Sequence, residues 1–490
     1  MQTGVWISLT LYFLVMLGIG FYAYRTSTGN SEEYMLGGRN LPPAVAALSA
    51  GASDMSGWLL LGLPGALYAA GLVEAWIGIG LFIGALVNWI VVAPRLREQT
   101  ERYDNALTIP AFLANRFPSQ AKVLRMVSAI IIVVFFVVYT ASGLVAGGKL
   151  FATAFDGGYL TGVWLTLGIV LAYTVIGGFL AVSLTDFVQG CIMMLALIIM
   201  PAVVLYAGDG GGFAQAGQTL SGLEGFTLSW WTEDMTFIGW LSLMAWGLGY
   251  FGQPHIIVRF MAVRSVAEVS TARNIAMAWM AISVVGAIGV GILGRAYVER
   301  SGIVLADPET IFILLAETLF PALITGFLFA ALLAAIMSTV SSQLLVSSSS
   351  LAEDFYKLLV NKDASEKVIV TVGRIAVVAV GAVAAVIAGD PDSQVLALVA
   401  NAWAGFGAAF GPLMILALTW KRMTGIGAVA GLVTGAVTVI VWIVLGWNSS
   451  FLGGPGVYEM IPGFLLAMIA IVAVSLITEA KGEFRALAAK

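Results

Sequence analysis

Apolar residues run along this chain in long unbroken blocks, and short polar stretches separate the blocks. Thirteen blocks are long enough to cross a bilayer, which takes roughly 20 apolar residues per helix. They lie near 3–24, 44–70, 73–94, 127–153, 159–179, 182–207, 236–256, 274–298, 321–350, 368–389, 393–419, 426–447 and 461–479. A lone segment in lipid can satisfy its own backbone only as a helix. The pattern therefore predicts an all-α polytopic membrane protein of about 13 transmembrane helices. Short amphipathic pieces are predicted at 107–116 and 310–319, each just before a spanning block.

Lys and Arg set the orientation, because cytoplasmic loops collect them. Alternate gaps hold Arg25 and Arg39; Arg95, Arg97, Arg102, Arg116, Lys122 and Arg125; Arg259, Arg264 and Arg273; Lys357, Lys362, Lys367 and Arg374; Lys421 and Arg422; and the tail with Lys481, Arg485 and Lys490. Only Lys149, Arg295 and Arg300 fall on the other side. The bias puts the N-terminus outside, the C-terminus inside and the span count at an odd number. Met1-Gln2-Thr3 lacks the basic start of a cleaved signal peptide, so the first block is expected to be a retained span. The stretch 208–235 carries no Lys or Arg and reads as a flexible external connector; no Gly-Lys-Ser/Thr follows Gly208-Asp209-Gly210-Gly211-Gly212, so it is not a phosphate cradle. Leu351 to Lys367 reads as a cytoplasmic loop.

Two spans break the apolar rule. The second holds Ser49-Ala50-Gly51-Ala52-Ser53-Asp54-Met55-Ser56-Gly57-Trp58 near its middle. A carboxylate at that depth costs about 3 kcal/mol or more, so Asp54 is expected to face a cavity or a partner. The flanking glycines and serines let the helix unwind, and unwinding frees carbonyls that must line water, ion or protein. The seventh span holds Gly247-Leu248-Gly249-Tyr250-Phe251-Gly252-Gln253-Pro254. This matches GxGxxG in letters only, since a dinucleotide fingerprint needs a preceding strand. Small-residue helix packing is the plain alternative; Trp246, Tyr250 and Pro254, two aromatics and a breaker beside the glycines, favour a pocket wall.

The second span starts inside and the seventh outside, five spans later, and an odd offset reverses topology. Spans two to six (44–207) and seven to eleven (236–419) are then expected to be inverted copies, with 3–24 leading and 426–479 trailing, in one transporter domain. A matched pair of broken leading helices points to a mid-membrane binding site.

In the ninth span, Ser338 and Thr339 add hydroxyls. Such groups usually bond back to their own helix, which suffices for Ser341, Ser342 and Ser347–Ser350. Hydroxyls combined with freed carbonyls would suit a small hard cation such as sodium, though nothing in the sequence brings the two spans together. Asp186 reads either as a helix-start acid or as a gating group. Arg39 reads as one more cytoplasmic positive charge, and Tyr139 as a packing aromatic or a pocket wall.

Composition narrows the function. The chain is 60% hydrophobic and 10% charged with a net charge of -4, so no basic surface for nucleic acid exists. One histidine, His255, excludes the usual metal clusters, and one cysteine, Cys191, excludes internal disulfides; both read as structural. Neither paired catalytic carboxylates nor a soluble signalling extension is evident, so enzyme and sensor readings lack support.

Four stretches carry a resemblance: Ala50–Trp58, Gly247–His255, Ala335-Ile336-Met337-Ser338-Thr339 and Trp403–Pro412. Through them nearly the whole chain resembles the sodium/solute symporters, most of all the proline-transporting members. The resemblance implies a LeuT-type 5+5 inverted repeat and sodium-coupled uptake of L-proline across the bacterial cytoplasmic membrane. It implies a sodium site from the backbone oxygens of Ala52, Met55 and Ala335 with the hydroxyls of Ser338 and Thr339. It places Asp54, Ser56, Gly57, Tyr139, Trp246, Tyr250 and Pro254 around the substrate, and ties Arg39 and Asp186 to gating or coupling. The implied partners are sodium, the substrate and the lipid bilayer, with no cofactor and no obligate protein partner. Another solute of the same family, such as pantothenate, another amino acid or a short carboxylate, is the alternative cargo.

Overall fold

The computed structural model describes residues 3–26, 30–155, 157–206 and 212–488. In chain order its helices are α1 (Thr3–Thr26), α2 (Ser31–Leu36), α3 (Pro43–Asp54), α4 (Leu63–Ala70), α5 (Ala75–Val91), α6 (Ala93–Arg102), α7 (Ile109–Arg116), α8 (Ala121–Ala154), α9 (Tyr159–Tyr206) and α10 (Gly212–Leu220). Then follow α11 (Phe237–Met244), α12 (Pro254–Ala262), α13 (Val269–Ser301), α14 (Ile311–Leu319), α15 (Ala322–Ser349), α16 (Lys357–Leu359), α17 (Glu366–Ile387), α18 (Val395–Thr419), α19 (Gly425–Val444) and α20 (Met460–Ala488).

Among the described residues, ten helices are long and apolar enough to cross a membrane, and the pair Pro43–Asp54 with Trp58–Ala70, bent by 62°, makes an eleventh. The remaining two predicted blocks are shorter apolar helices, Tyr159–Val175 and Phe237–Gly252. The fifth and sixth blocks meet without a loop. Gly178 turns the chain between them with φ 60° and ψ −156°, a region that penalises any Cβ. The two short amphipathic pieces expected from the sequence are α7 and α14.

The core is α3, α8, α9, α13, α15 and α18. Leu328 to Leu345 of α15 are buried throughout, so this stretch has no lipid face. By contrast α1, α17, α19 and α20 each leave one side of Leu, Ile and Val exposed, as expected where the bilayer is the solvent.

Two loop expectations are corrected. Gly208–Gly211 lie outside the described residues, but 212–235 is not a loose connector. Residues 212–220 form α10, and further on Leu72 N–H donates to Thr227 O at 2.8 Å while Trp76 Nε1 donates to Trp230 O at 2.7 Å. Backbone donors at the α4–α5 corner need acceptors, and this segment supplies them. Likewise Leu351–Lys367 is not all loop: the helix of α15 continues through a π-helical stretch to Tyr356 and then α16. It continues because Asp354, fully buried there, accepts from Thr108 Oγ1 at 2.8 Å.

Candidate binding site at two broken helices

The first break follows from one diverted N–H. Met55 N–H closes the last turn of α3 on Gly51 O at 2.9 Å. Ser56 N–H would bond Ala52 O in a continued helix; it turns back instead to Asp54 O at 2.9 Å. Ala52 O thus loses its helical donor. Ser338 Oγ supplies one at 2.7 Å, and Thr339 Oγ1 lies at 3.3 Å. The same hydroxyls lie 3.2 and 3.3 Å from Ala335 O, one turn back on their own helix. Ala52, Ala335, Ser338 and Thr339 therefore converge, all nearly inaccessible, with Met55 buried at the break itself.

Asp54 is 1% exposed. Its Oδ2 accepts a short hydrogen bond from the Tyr250 hydroxyl, and Tyr139 Oη lies 3.4 Å from its backbone oxygen. Asp54 and Tyr250 line a cavity of about 20 Å³ with Asn88, Trp89, Met277 and Trp279 among its other walls. Gly57 faces the other way: a Cβ there would lie 2.8 Å from Ala146 Cβ of α8. Ser56 Oγ accepts from Trp58 N–H at 3.3 Å and helps restart the helix.

The second break also leaves carbonyls without α-helical donors. Residues 245–252 are 3-10 helical, Gln253 is extended, and α12 begins at Pro254. Tyr250 O has no α-helical donor four residues on, because residue 254 is a proline with no N–H. Asn88 Nδ2 donates to it at 3.0 Å. Trp403 Nε1 donates to Trp246 O at 2.7 Å, and Gln253 Nε2 returns the bond to Trp403 O at 3.0 Å. The glycines here serve close packing after all: a Cβ on Gly247 would stand 2.2 Å from Gly80 O, and one on Gly249 1.9 Å from Trp403 Nε1. Of the three residues expected to form one pocket wall, only Tyr250 lines the Asp54 cavity. Trp246 stacks on Tyr458 with centroids 5.5 Å apart, and Pro254 lines a separate small cavity with Thr108 and Ser349.

A family model described as the sodium:solute symporter family matches residues 34–435. The chain belongs to the sodium:solute symporter family. It is 54% identical over 468 residues to a protein of Bacillus subtilis (strain 168) named high-affinity proline transporter PutP, covering 96% of this chain and 97% of that one. It is 49% identical over 489 residues to a sodium/proline symporter of Staphylococcus aureus (strain JH9), covering 98% and 94%. Among solved structures, a Na+-coupled sialic acid symporter in a substrate-bound outward-open state shares the fold, with a TM-score of 0.80 at 18% identity over 97% of this chain and 98% of that one. The family and these relatives are transporters, not enzymes.

Both flanks of the site in this symporter are tied by buried charged groups. Arg39 is not a free cytoplasmic charge: it is buried, and donates to Asn105 Oδ1 at 2.8 Å, Thr100 Oγ1 at 3.1 Å, Met261 O at 2.9 Å and Ala106 O at 2.6 Å. Asp186 is not a helix-start acid, since it lies eight residues past the Gly178 break and is fully buried. Its Oδ2 accepts from Ser49 Oγ at 2.7 Å and pairs with Arg259 Nη2 at 3.2 Å. Arg259, counted from sequence as a loop charge, is 0% exposed and also reaches Ser342 Oγ at 2.5 Å. Ser342 therefore does not simply bond its own helix. His255 is buried between Phe136 and Tyr139, in keeping with a packing role.

At the opposite end, Lys149 Nζ lies 2.8 Å from both Asp307 Oδ2 and Glu309 Oε2. Glu309 also accepts the first N–H groups of α18, Val395 at 2.9 Å and Leu396 at 3.0 Å. One carboxylate thus caps a helix and holds a lysine. Asn88 and Glu309 are the residues that sequence reasoning missed; Trp403 stands there only within a stretch that carries the resemblance, and Arg259 only as a cytoplasmic charge. For Asn88 the signal existed: it is the one polar residue between Ala75 and Val92, and Pro254 stands four residues after Tyr250.

Proposed function

We propose that this symporter takes up L-proline with sodium across the bacterial cytoplasmic membrane by alternating access. Thirteen spans in a 5+5 inverted arrangement, N-terminus outside and C-terminus inside, complete the reading. The relatives' names and the identity of about half over nearly full length support the cargo. The observation that carries sodium coupling is the Ala52 carbonyl, stripped of its helical donor and met by the Ser338 and Thr339 hydroxyls.

Sodium takes the place of those hydrogens. The two hydroxyls rotate, their oxygens and the carbonyls of Ala52 and Ala335 face the ion, and Met55 O joins from the break. The hydrogen bonds lost are worth about 1 kcal/mol each, a modest cost against charge–dipole attraction in a dry site. The ion bridges α3 and α15. It fixes the broken span that also carries Asp54, so sodium and proline each favour the other's binding by the same factor. Trp246, Tyr250, Tyr139 and Pro254 form the apolar side of the proline site once it opens, with Ser56 and Gly57 at the break; Arg39 and Asp186 gate the cytoplasmic side. One sodium ion crossing 100 mV gains about 2.3 kcal/mol, enough for roughly fiftyfold accumulation.

Radiolabelled proline uptake into proteoliposomes tests the reading. Uptake should appear with an inward sodium gradient and vanish when potassium replaces sodium. Equal uptake under both conditions would overturn it.

A further inference from the structure

Asn88 has a structural task that uses only half of its side chain. Its amide N–H group donates to the Tyr250 carbonyl, which Pro254 leaves without an α-helical donor. That bond fixes which end of the amide is which. The other end, Oδ1, is buried and has no hydrogen-bond partner among the described residues. Leaving a buried amide oxygen unpaired costs about 1–3 kcal/mol. The same holds for Asp54 Oδ1, since the Tyr250 hydroxyl occupies only Oδ2. Asn88 and Asp54 line one cavity of about 20 Å³, whose other walls are apolar apart from Tyr250.

Two unpaired acceptors, one of them a carboxylate oxygen, ask for a small cationic group with at least two N–H donors. The cavity has room for about one water-sized group. Only the tip of a ligand enters it, and the ligand's body stays outside. We propose that Asn88 Oδ1 and Asp54 Oδ1 together receive the secondary ammonium of the substrate, one N–H each, and that Asn88 is thereby a specificity-determining residue. This rests on the proline reading above and adds to it an orientation: amine toward α5 and α13, ring toward Tyr139. It also adds a selection rule. An N-alkylated imino acid offers one N–H and leaves one acceptor unpaired, whereas a site that hydrogen-bonds a donor discriminates against ligands that lack it.

The test is competition of labelled proline uptake by N-methylproline in three proteins: the parent, Asn88→Leu and Asn88→Asp. The parent should bind N-methylproline at least about tenfold more weakly than proline, which corresponds to about 1.4 kcal/mol. Asn88→Leu removes both ends of the amide and should bring the ratio close to one, with the proline KM raised. Asn88→Asp loses the donor to Tyr250 O but keeps an acceptor, so it should retain the discrimination. If Asn88 were only a brace for Tyr250, both variants would raise KM alike and neither would change the ratio. An unchanged ratio in Asn88→Leu overturns the inference, as does a raised sodium half-saturation with the ratio intact, which would make the cavity a cation site. Absence of sodium-dependent proline uptake in the parent would sink the proline reading instead, so the two failures are distinct.

Discussion

Ser338 Oγ donates to Ala52 O at 2.7 Å, joining residues 286 positions apart across the break in the second span. No other described hydroxyl pair ties α15 to that carbonyl except Thr339, at 3.3 Å. Removing either oxygen should weaken sodium binding more than it weakens folding. Thr339→Ala and Ser338→Ala are each expected to raise the sodium half-saturation for uptake by about tenfold, the equivalent of 1.4 kcal/mol. Protein abundance in the membrane should change little. An unaltered sodium half-saturation in both would remove these residues from the site.

Asp186 and Arg259 form an ion pair with both side chains fully buried. Breaking a buried pair by removing one partner costs about 3–5 kcal/mol, because the other charge stays without compensation. Asp186→Asn and Arg259→Gln should each lower the melting temperature of the purified protein. The double variant should lose much less than the sum of the two. Additive losses, measured by thermal unfolding in detergent, would mean that the pair does not act as a unit.

Glu309 needs Lys149 to stay in place over α18. Lys149→Met leaves the carboxylate partly buried beside Asp307 and loosens its hold on the N–H groups of Val395 and Leu396. Hydrogen–deuterium exchange in the peptide that contains these amides should speed up about fivefold, as a loss of about 1 kcal/mol predicts. Exchange equal to that of the parent would show that the cap stands without the lysine.

Gly249 has no room for a methyl group, since a Cβ would stand 1.9 Å from Trp403 Nε1, the atom that satisfies Trp246 O. Gly249→Ala should displace the indole, take its N–H from that carbonyl and cost more than the 1–3 kcal/mol of ordinary overpacking. Gly18→Ala is the control, with nothing within 4 Å of its Cβ. Comparable thermal stability in the two variants would refute the tight fit.

Much of this molecule is legible without coordinates. Asp54 among small residues and Pro254 behind three glycines each announce an interruption, because a lipid-embedded helix gains nothing from either. The amphipathic α7 and α14 show in the same way, through a change of pattern. Arg259 and Asp186 are not legible in this way. A charge five residues past a proline looks like the edge of a loop, and only the packing of α12 between α3, α9 and α15 makes it interior. Trp246 reads as a pocket wall because aromatics beside glycines often are; that one face of its ring stacks on Tyr458, more than 200 positions away, shows only in the fold.

Length and apolarity alone determined that the chain is a helical bundle in a membrane, and backbone chemistry alone determined where two of its helices must open. Those are local demands: water is absent, so each N–H and C=O needs a partner, and a run of residues either provides it or does not. Which distant group meets each opened carbonyl was decided only in three dimensions. Asn88 for Tyr250, Trp403 for Trp246 and Ser338 for Ala52 come from separate helices, and many polar side chains in the chain could have donated equally well. Close packing chose among them, through glycines for the first two pairs, and that is a property of neighbours in space.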